Sequence, residues 1–82
     1  MVSTVVEIRV PAVADGGAKL SLGRWFKRTG DPVGANEALV EIETGGATHE
    51  VRAPVTGVLA TILVEDGGSV GVGTVVGSIR QF

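Results

Sequence analysis

The side chains best placed to do chemistry in this 82-residue chain gather around one short segment, Glu43-Thr44-Gly45-Gly46-Ala47. His49, just beyond it, has the right side chain for a general base or a metal ligand. Glu41, Glu43 and Glu50 flank the same segment and are of the type that does paired acid-base work or binds a cation. Each possibility lacks a second component. The chain has a single His and no Cys, so no His/Cys metal set can be built and His49 reads as structural. One His and surface-type serines do not assemble a Ser-His-Asp set. The glycine-rich stretches Gly67-Gly68 and Gly71 to Gly77 precede no helix and carry no Lys-Ser or Lys-Thr pair, so they are turns, not phosphate cradles. The three carboxylates then read as a solvated acidic rim, and no enzymatic activity of the chain's own is expected.

The elements that position these residues are strands. Leu39-Val40-Glu41-Ile42-Glu43-Thr44 enters the segment and Thr48-His49-Glu50-Val51-Arg52-Ala53-Pro54 leaves it, which makes Gly45-Gly46 a hairpin apex. Adjacent glycines readily take the positive φ angles of a type I′ turn, so a loose or unusually twisted tip is expected. Elsewhere Val5, Ile8 and Val10 lead into Pro11. Leu20, Leu22 and Trp25 alternate with Ser21 and Gly23, and Val58 to Val64 forms a further apolar segment. The 13 glycines fall between these runs, with no helical periodicity, so the pattern predicts many short strands in a sandwich or barrel.

An internal repeat organises the strands. At an offset of 37 residues Leu22 meets Leu59, Trp25 meets Ile62, Val33 meets Val70, Leu39 meets Val76 and Ile42 meets Ile79. The turn glycines Gly30 and Gly34 meet Gly67 and Gly71 in the same register. Two copies are too few for a solenoid. They predict one closed body of two similar sheets related by an approximate two-fold axis, with the hairpin at one end and the chain termini together at the other.

Composition sets the limits. At this length one domain over 1–82 is expected, near the size at which a single core just suffices. Hydrophobic residues make up 44% but aromatics only 4%, so the core must be Val, Ile, Leu and Ala. Trp25 reads as a packing residue, not a stacking platform. A net charge of −2 and scattered basic residues give little footing for nucleic acid, and the Arg24, Lys27, Arg28 cluster reads as a solvated strand face. No apolar run approaches the roughly 20 residues of a membrane span. Without Cys and without a basic-then-apolar leader, the expected compartment is the cytoplasm, or the mitochondrial matrix if the source is eukaryotic.

Nearly the whole chain resembles a lipoyl domain of the biotinyl/lipoyl-attachment family, as found in acyltransferase components of 2-oxo acid dehydrogenase complexes. The resemblance rests on Val6-Glu7-Ile8-Arg9-Val10-Pro11, Gly23-Arg24-Trp25-Phe26-Lys27, Gly30-Asp31-Pro32-Val33 and Leu39 to Thr44. It continues through Glu50 to Pro54, Gly57-Val58-Leu59 and Gly67-Gly68-Ser69-Val70 to Gly77-Ser78-Ile79. It implies an all-β, flattened barrel of two four-stranded antiparallel sheets with quasi-two-fold symmetry. Biotin carriers share the scaffold but place Met beside their lysine, and the only Met here is Met1. The glycine-cleavage carrier is longer than this chain.

In that family an Asp-Lys pair follows Glu-Thr, and lipoate is joined through an amide to the lysine. The resemblance puts the Asp at Gly45 and the Lys at Gly46, followed by Ala47. The only lysines are Lys19 and Lys27. As written, the chain is therefore expected to carry no lipoate, and a lipoate ligase is not an expected partner. By the same resemblance Glu43, Thr44 and Glu50 belong to the surface that partner enzymes recognise, as do Asp15 and Gly16 in the loop 12–18. The implied partners are the decarboxylase and dihydrolipoamide dehydrogenase components of such a complex. Two readings stay open: a carrier domain without its attachment residue, and an interaction module that reuses the scaffold.

Overall fold

The computed structural model describes residues 4–12 and 20–82. These form eight strands: β1 Val5–Arg9, β2 Leu20–Trp25, β3 Pro32–Val33, β4 Ala38–Glu43, β5 Thr48–Arg52, β6 Gly57–Ile62, β7 Ser69–Val70 and β8 Val75–Gln81. They make two four-stranded sheets, ordered β1-β8-β6-β3 and β5-β4-β2-β7, with every pairing antiparallel. The body is an elongated, flattened barrel of 42 × 20 × 18 Å. No helix occurs among the described residues.

The symmetry expected from the repeat is built into the sheets. Burial alternates identically along the paired strands: β1 and β5 share one pattern, β2 and β6 another. The centre of the core is three repeat-related pairs, Leu22 with Leu59, Leu39 with Val76 and Ile42 with Ile79, all fully buried. All nine of the largest fully buried side chains are Ile, Leu or Val. Each contributes roughly 1.5–3 kcal/mol by leaving water.

The halves interlock through backbone bonds that cross between them. Gly30 N–H donates to Leu59 C=O at 2.8 Å, and its counterpart Gly67 N–H donates to Leu22 C=O at 2.7 Å. Leu59 N–H returns to Asp31 C=O at 3.0 Å, as Leu22 N–H returns to Gly68 C=O at 2.8 Å. Gly30 and Gly67 hold these turns at φ 93 and 86, where a side chain would be strained. Neither half can satisfy its own strand without the other.

A second repeat extends the symmetry to the edge strands. Glu7-Ile8-Arg9-Val10-Pro11 recurs as Glu50-Val51-Arg52-Ala53-Pro54, but at an offset of 43. Arg9 pairs with Glu7 and donates to Gly73 C=O at 3.1 Å. Arg52 pairs with Glu50 at 3.0 Å and donates to Asn36 C=O at 2.9 Å. The connection after β1 is thus six residues longer than the one after β5. At the end remote from the β4–β5 hairpin, Gln81 N–H donates to Thr4 C=O at 2.8 Å and brings the described ends together.

Two expectations need correction. The segment read as Val58 to Val64 is a strand from Gly57 to Ile62, leaving Leu63 and Val64 beyond it. Lys27 and Arg28 lie past the end of β2, not on a solvated strand face. Lys27 Nζ pairs with Glu37 at 2.7 Å, because Glu37 stands in the turn that precedes β4. Trp25 packs as expected: it is half-buried against the core and its Nε1–H donates to Val64 C=O at 2.8 Å.

Candidate functional site

The β4–β5 hairpin holds the candidate residues, and its ladder fixes where each side chain points. Val40 pairs with Val51, Glu41 with Glu50, Ile42 with His49 and Glu43 with Thr48. Because successive residues face opposite sides of a sheet, Glu41, Glu43 and Glu50 share the outer face. Ile42, His49 and Val51 share the other.

This alternation separates the groups that could have done acid-base chemistry. His49 is half-buried on the face opposite the carboxylates, so His49 and the glutamates do not converge. Two of the three carboxylates are instead attended by arginines. Glu41 lies 3.8 Å from Arg24 Nε and Glu50 lies 3.0 Å from Arg52, while Glu43 lies over Gly23 on the neighbouring strand. Arg24 also stacks over Phe26, 5.0 Å from the ring centroid. Among the described residues no cluster of three or more His, Asp or Glu side chains is arranged to hold a metal ion. The cationic partners Arg24 and Arg52 were not singled out from sequence as site residues. The alternation that places Arg52 beside Glu50 was the available signal.

The apex is ordered by one residue pair. Thr44 N–H donates to Ala47 C=O at 2.9 Å, and the Thr44 hydroxyl is 3.3 Å from the same oxygen. Gly45, Gly46 and Ala47 are exposed beyond it. The expected type I′ geometry does not occur: neither Gly45 nor Gly46 adopts a positive φ. The reason is the length of the connection. Four residues, Thr44 to Ala47, separate the last paired residues Glu43 and Thr48, so the chain reverses without two consecutive left-handed residues. A Cβ built on Gly45 or on Gly46 would meet nothing within 4 Å. The backbone of the tip is one that ordinary side chains can adopt.

An acyl group held by an amide needs an amine at the apex, and Gly45 and Gly46 supply none. The residues present therefore do not fit covalent attachment of lipoate or biotin. Of the two lysines, Lys27 follows Trp25, whose cross-strand partner Val40 lies toward the start of β4 and away from the tip. Lys19 lies outside the described residues, as do Asp15 and Gly16 of the candidate recognition set.

The family model described as biotin-requiring enzyme, the biotin/lipoyl family, matches residues 6–79. Among curated proteins the chain is 40% identical to the dihydrolipoyllysine-residue succinyltransferase component of the 2-oxoglutarate dehydrogenase complex of Rickettsia felis, over 93% of this chain and 19% of that protein. The Bacillus subtilis component is 35% identical over 94% of this chain and 18% of its own length. The mitochondrial component of Bos taurus is 36% identical over 94% and 17% respectively. The chain thus spans about a fifth of the length of these relatives. Among solved structures, the lipoyl domain of the 2-oxoglutarate dehydrogenase complex from Azotobacter vinelandii superimposes with a TM-score of 0.71 at 30% identity, covering 90% of this chain and 96% of that one. With two antiparallel sheets, a family match over residues 6–79 and this structural likeness, the chain belongs to the biotin/lipoyl family and is homologous to the lipoyl domains of 2-oxoglutarate dehydrogenase succinyltransferases.

Proposed function

We propose that this chain is a lipoyl-type carrier scaffold of a 2-oxo acid dehydrogenase acyltransferase in which the attachment position, Gly46, lacks its lysine, so that the domain is not lipoylated. The observation that carries this reading is the tip itself. It projects from the β4–β5 hairpin of a lipoyl-type barrel, in a backbone open to side chains, yet offers no amine. The domain supplies no catalysis; an acyltransferase centre would belong to a separate part of a longer protein. The relatives' names support 2-oxoglutarate dehydrogenase as the kind of complex; the decarboxylase and dihydrolipoamide dehydrogenase components are the partners that the family resemblance implies. The compartment is that of such a complex, the cytoplasm or the mitochondrial matrix.

A second reading is favoured by the same bare apex. A domain that keeps the scaffold and drops the amine can serve by binding alone, as an interaction module.

The test is the intact mass of the chain after incubation with a lipoate ligase, ATP and lipoate. The mass is expected to stay that of the unmodified sequence. A gain of one lipoyl group, mapped by peptide digestion to Lys19 or Lys27, would overturn the reading.

A further inference from the structure

We infer that the outer face of the β1-β8-β6-β3 sheet, at the end remote from the hairpin, is a docking surface for a partner segment that sets a carboxylate among apolar side chains. This surface lies beyond the carrier reading and does not depend on whether the apex bears an amine.

The internal repeat shows what the fold itself demands at this place. Cross-strand register lines up Val5, Arg80, Val58 and Pro32 in one row across the sheet. The equivalent row of the other sheet is Thr48, Glu43, Ser21 and Ser69. Arg80 is the counterpart of Glu43, Val58 of Ser21 and Pro32 of Ser69 at the 37-residue offset, and Val5 is the counterpart of Thr48 at 43. Both rows face outward, because the next residues along the strands, Leu59 and Ile79 in one sheet and Leu22 and Ile42 in the other, are buried. The same backbone frame thus accepts polar residues at all four positions. Packing does not dictate the apolar ones.

The apolar row is also continuous. Opposed side chains on one face of a sheet lie about 4.5–5.5 Å apart at Cβ, so Val5, Val58 and Pro32 form a strip with Arg80 set into it. Val5 is 58% exposed, and Phe82, two residues past Arg80, is 84% exposed. Single exposed apolar residues are ordinary, whereas a contiguous group of them marks a contact surface.

Arg80 decides what covers the strip. None of the ion pairs among the described residues includes it, and Glu7, the carboxylate on the outer face of neighbouring β1, pairs with Arg9. A carboxylate flanked by apolar side chains answers both features, charge at Arg80 and contact at Val5 and Val58. A second copy does not, since two-fold packing of this row on itself sets Arg80 against Arg80. An anionic membrane is a poorer match, because one arginine in the strip and a net charge of −2 gain little from a negative surface potential.

The experiment follows amide chemical-shift changes in the isotope-labelled chain as the peptide acetyl-Leu-Val-Glu-Val-Leu-amide is added. The expected result is shifts at Val5, Val58 and Arg80 and none at Thr48, Ser21 and Glu43. Arg80→Glu copies the other row and so keeps the fold; it should weaken binding of this peptide several-fold and favour the version with Lys in place of Glu. The pair Val5→Thr, Val58→Ser, copied from the same row, should weaken both peptides. No shifts at millimolar peptide, equal shifts in the two rows, or an Arg80→Glu chain that binds the Glu peptide as the native chain does would each overturn the inference. Phosphatidylglycerol vesicles that bind the native chain but not the Arg80→Glu chain, with the peptide inert, would also overturn it and assign the strip to a membrane surface.

Discussion

Asn36 and Gly73, 37 residues apart, occupy one turn position in two copies. Their φ angles are 70 and 84, and their N–H groups donate to Ala53 and Val10 at 2.8 and 2.9 Å. One copy meets the left-handed conformation with glycine and the other with asparagine, the side-chain-bearing residue that tolerates it best. The turn, not the residue type, is what the fold requires at this place.

The two positions should therefore respond to substitution in the same order. Gly73→Ala is expected to cost about 1–2 kcal/mol and Gly73→Asn distinctly less, since a Cβ there has space and only φ is strained. Asn36→Gly should be close to neutral and Asn36→Ala destabilising. Urea midpoints at unchanged slope would show this order. Equal tolerance of Ala and Gly would contradict the shared-turn account.

The neighbouring position in each turn predicts a pH dependence. Glu37 accepts a bond from Gly34 N–H at 2.9 Å, where Thr74 accepts one from Gly71 N–H at 3.0 Å. The hydrogen bond from Lys27 and then that from Gly34 hold the Glu37 carboxyl below its ordinary value. A depressed pKa in the folded state gives stability that is fully present above the unfolded value and is lost as pH falls through the folded one. Glu37→Thr, which copies the other half, should keep the turn bond and flatten that acid limb. Urea midpoints between about pH 6 and pH 3 measure it. An unchanged limb in the variant would assign the acid sensitivity to other carboxylates.

Leu22 and Leu59 are repeat partners and both fully buried. Leu22→Ala and Leu59→Ala should each lose about 2–5 kcal/mol, by similar amounts, as cavities open on either side of one core. Thermal or urea unfolding is sufficient to compare them. A core organised mainly around one half would show one loss much larger than the other.

The apex predicts the opposite sign. Replacing Gly45 by Asp and Gly46 by Lys introduces no clash and no strained φ, and it restricts the unfolded chain. The double variant should be as stable as the native chain or more so, by up to about 1 kcal/mol per site. A clear destabilisation would mean that the apex depends on glycine after all.

Much of this architecture is legible in the residues. Alternation marks β2 and β6, and the 37-residue register pairs Leu22 with Leu59 and Ile42 with Ile79 before any coordinates are known. The match between β1 and β5 escaped that register because the connection after β1 is six residues longer, so Glu7-Ile8-Arg9-Val10-Pro11 aligns only at 43. The turn type at Gly45-Gly46 is not legible for a different reason. Glycine permits positive φ without requiring it, and the decision lies with the length of the loop and the Thr44–Ala47 closure. The ion pair of Lys27 is not legible, because its partner Glu37 is brought to it by a turn that local pattern does not reveal. His49 was legible, since its placement with Val51, away from the carboxylates, follows from period-two alternation alone.

The central claim is that the scaffold is a lipoyl carrier complete except for one amine. The most direct measurement is the intact mass of the Gly45→Asp, Gly46→Lys variant after incubation with a lipoate ligase, ATP and lipoate, beside the native chain. The account predicts that the variant gains one lipoyl group, lost again when the lysine is replaced by Arg, and that the native chain gains none. A variant that folds like the native chain and remains unmodified would contradict it, and would leave the interaction module as the reading of this domain.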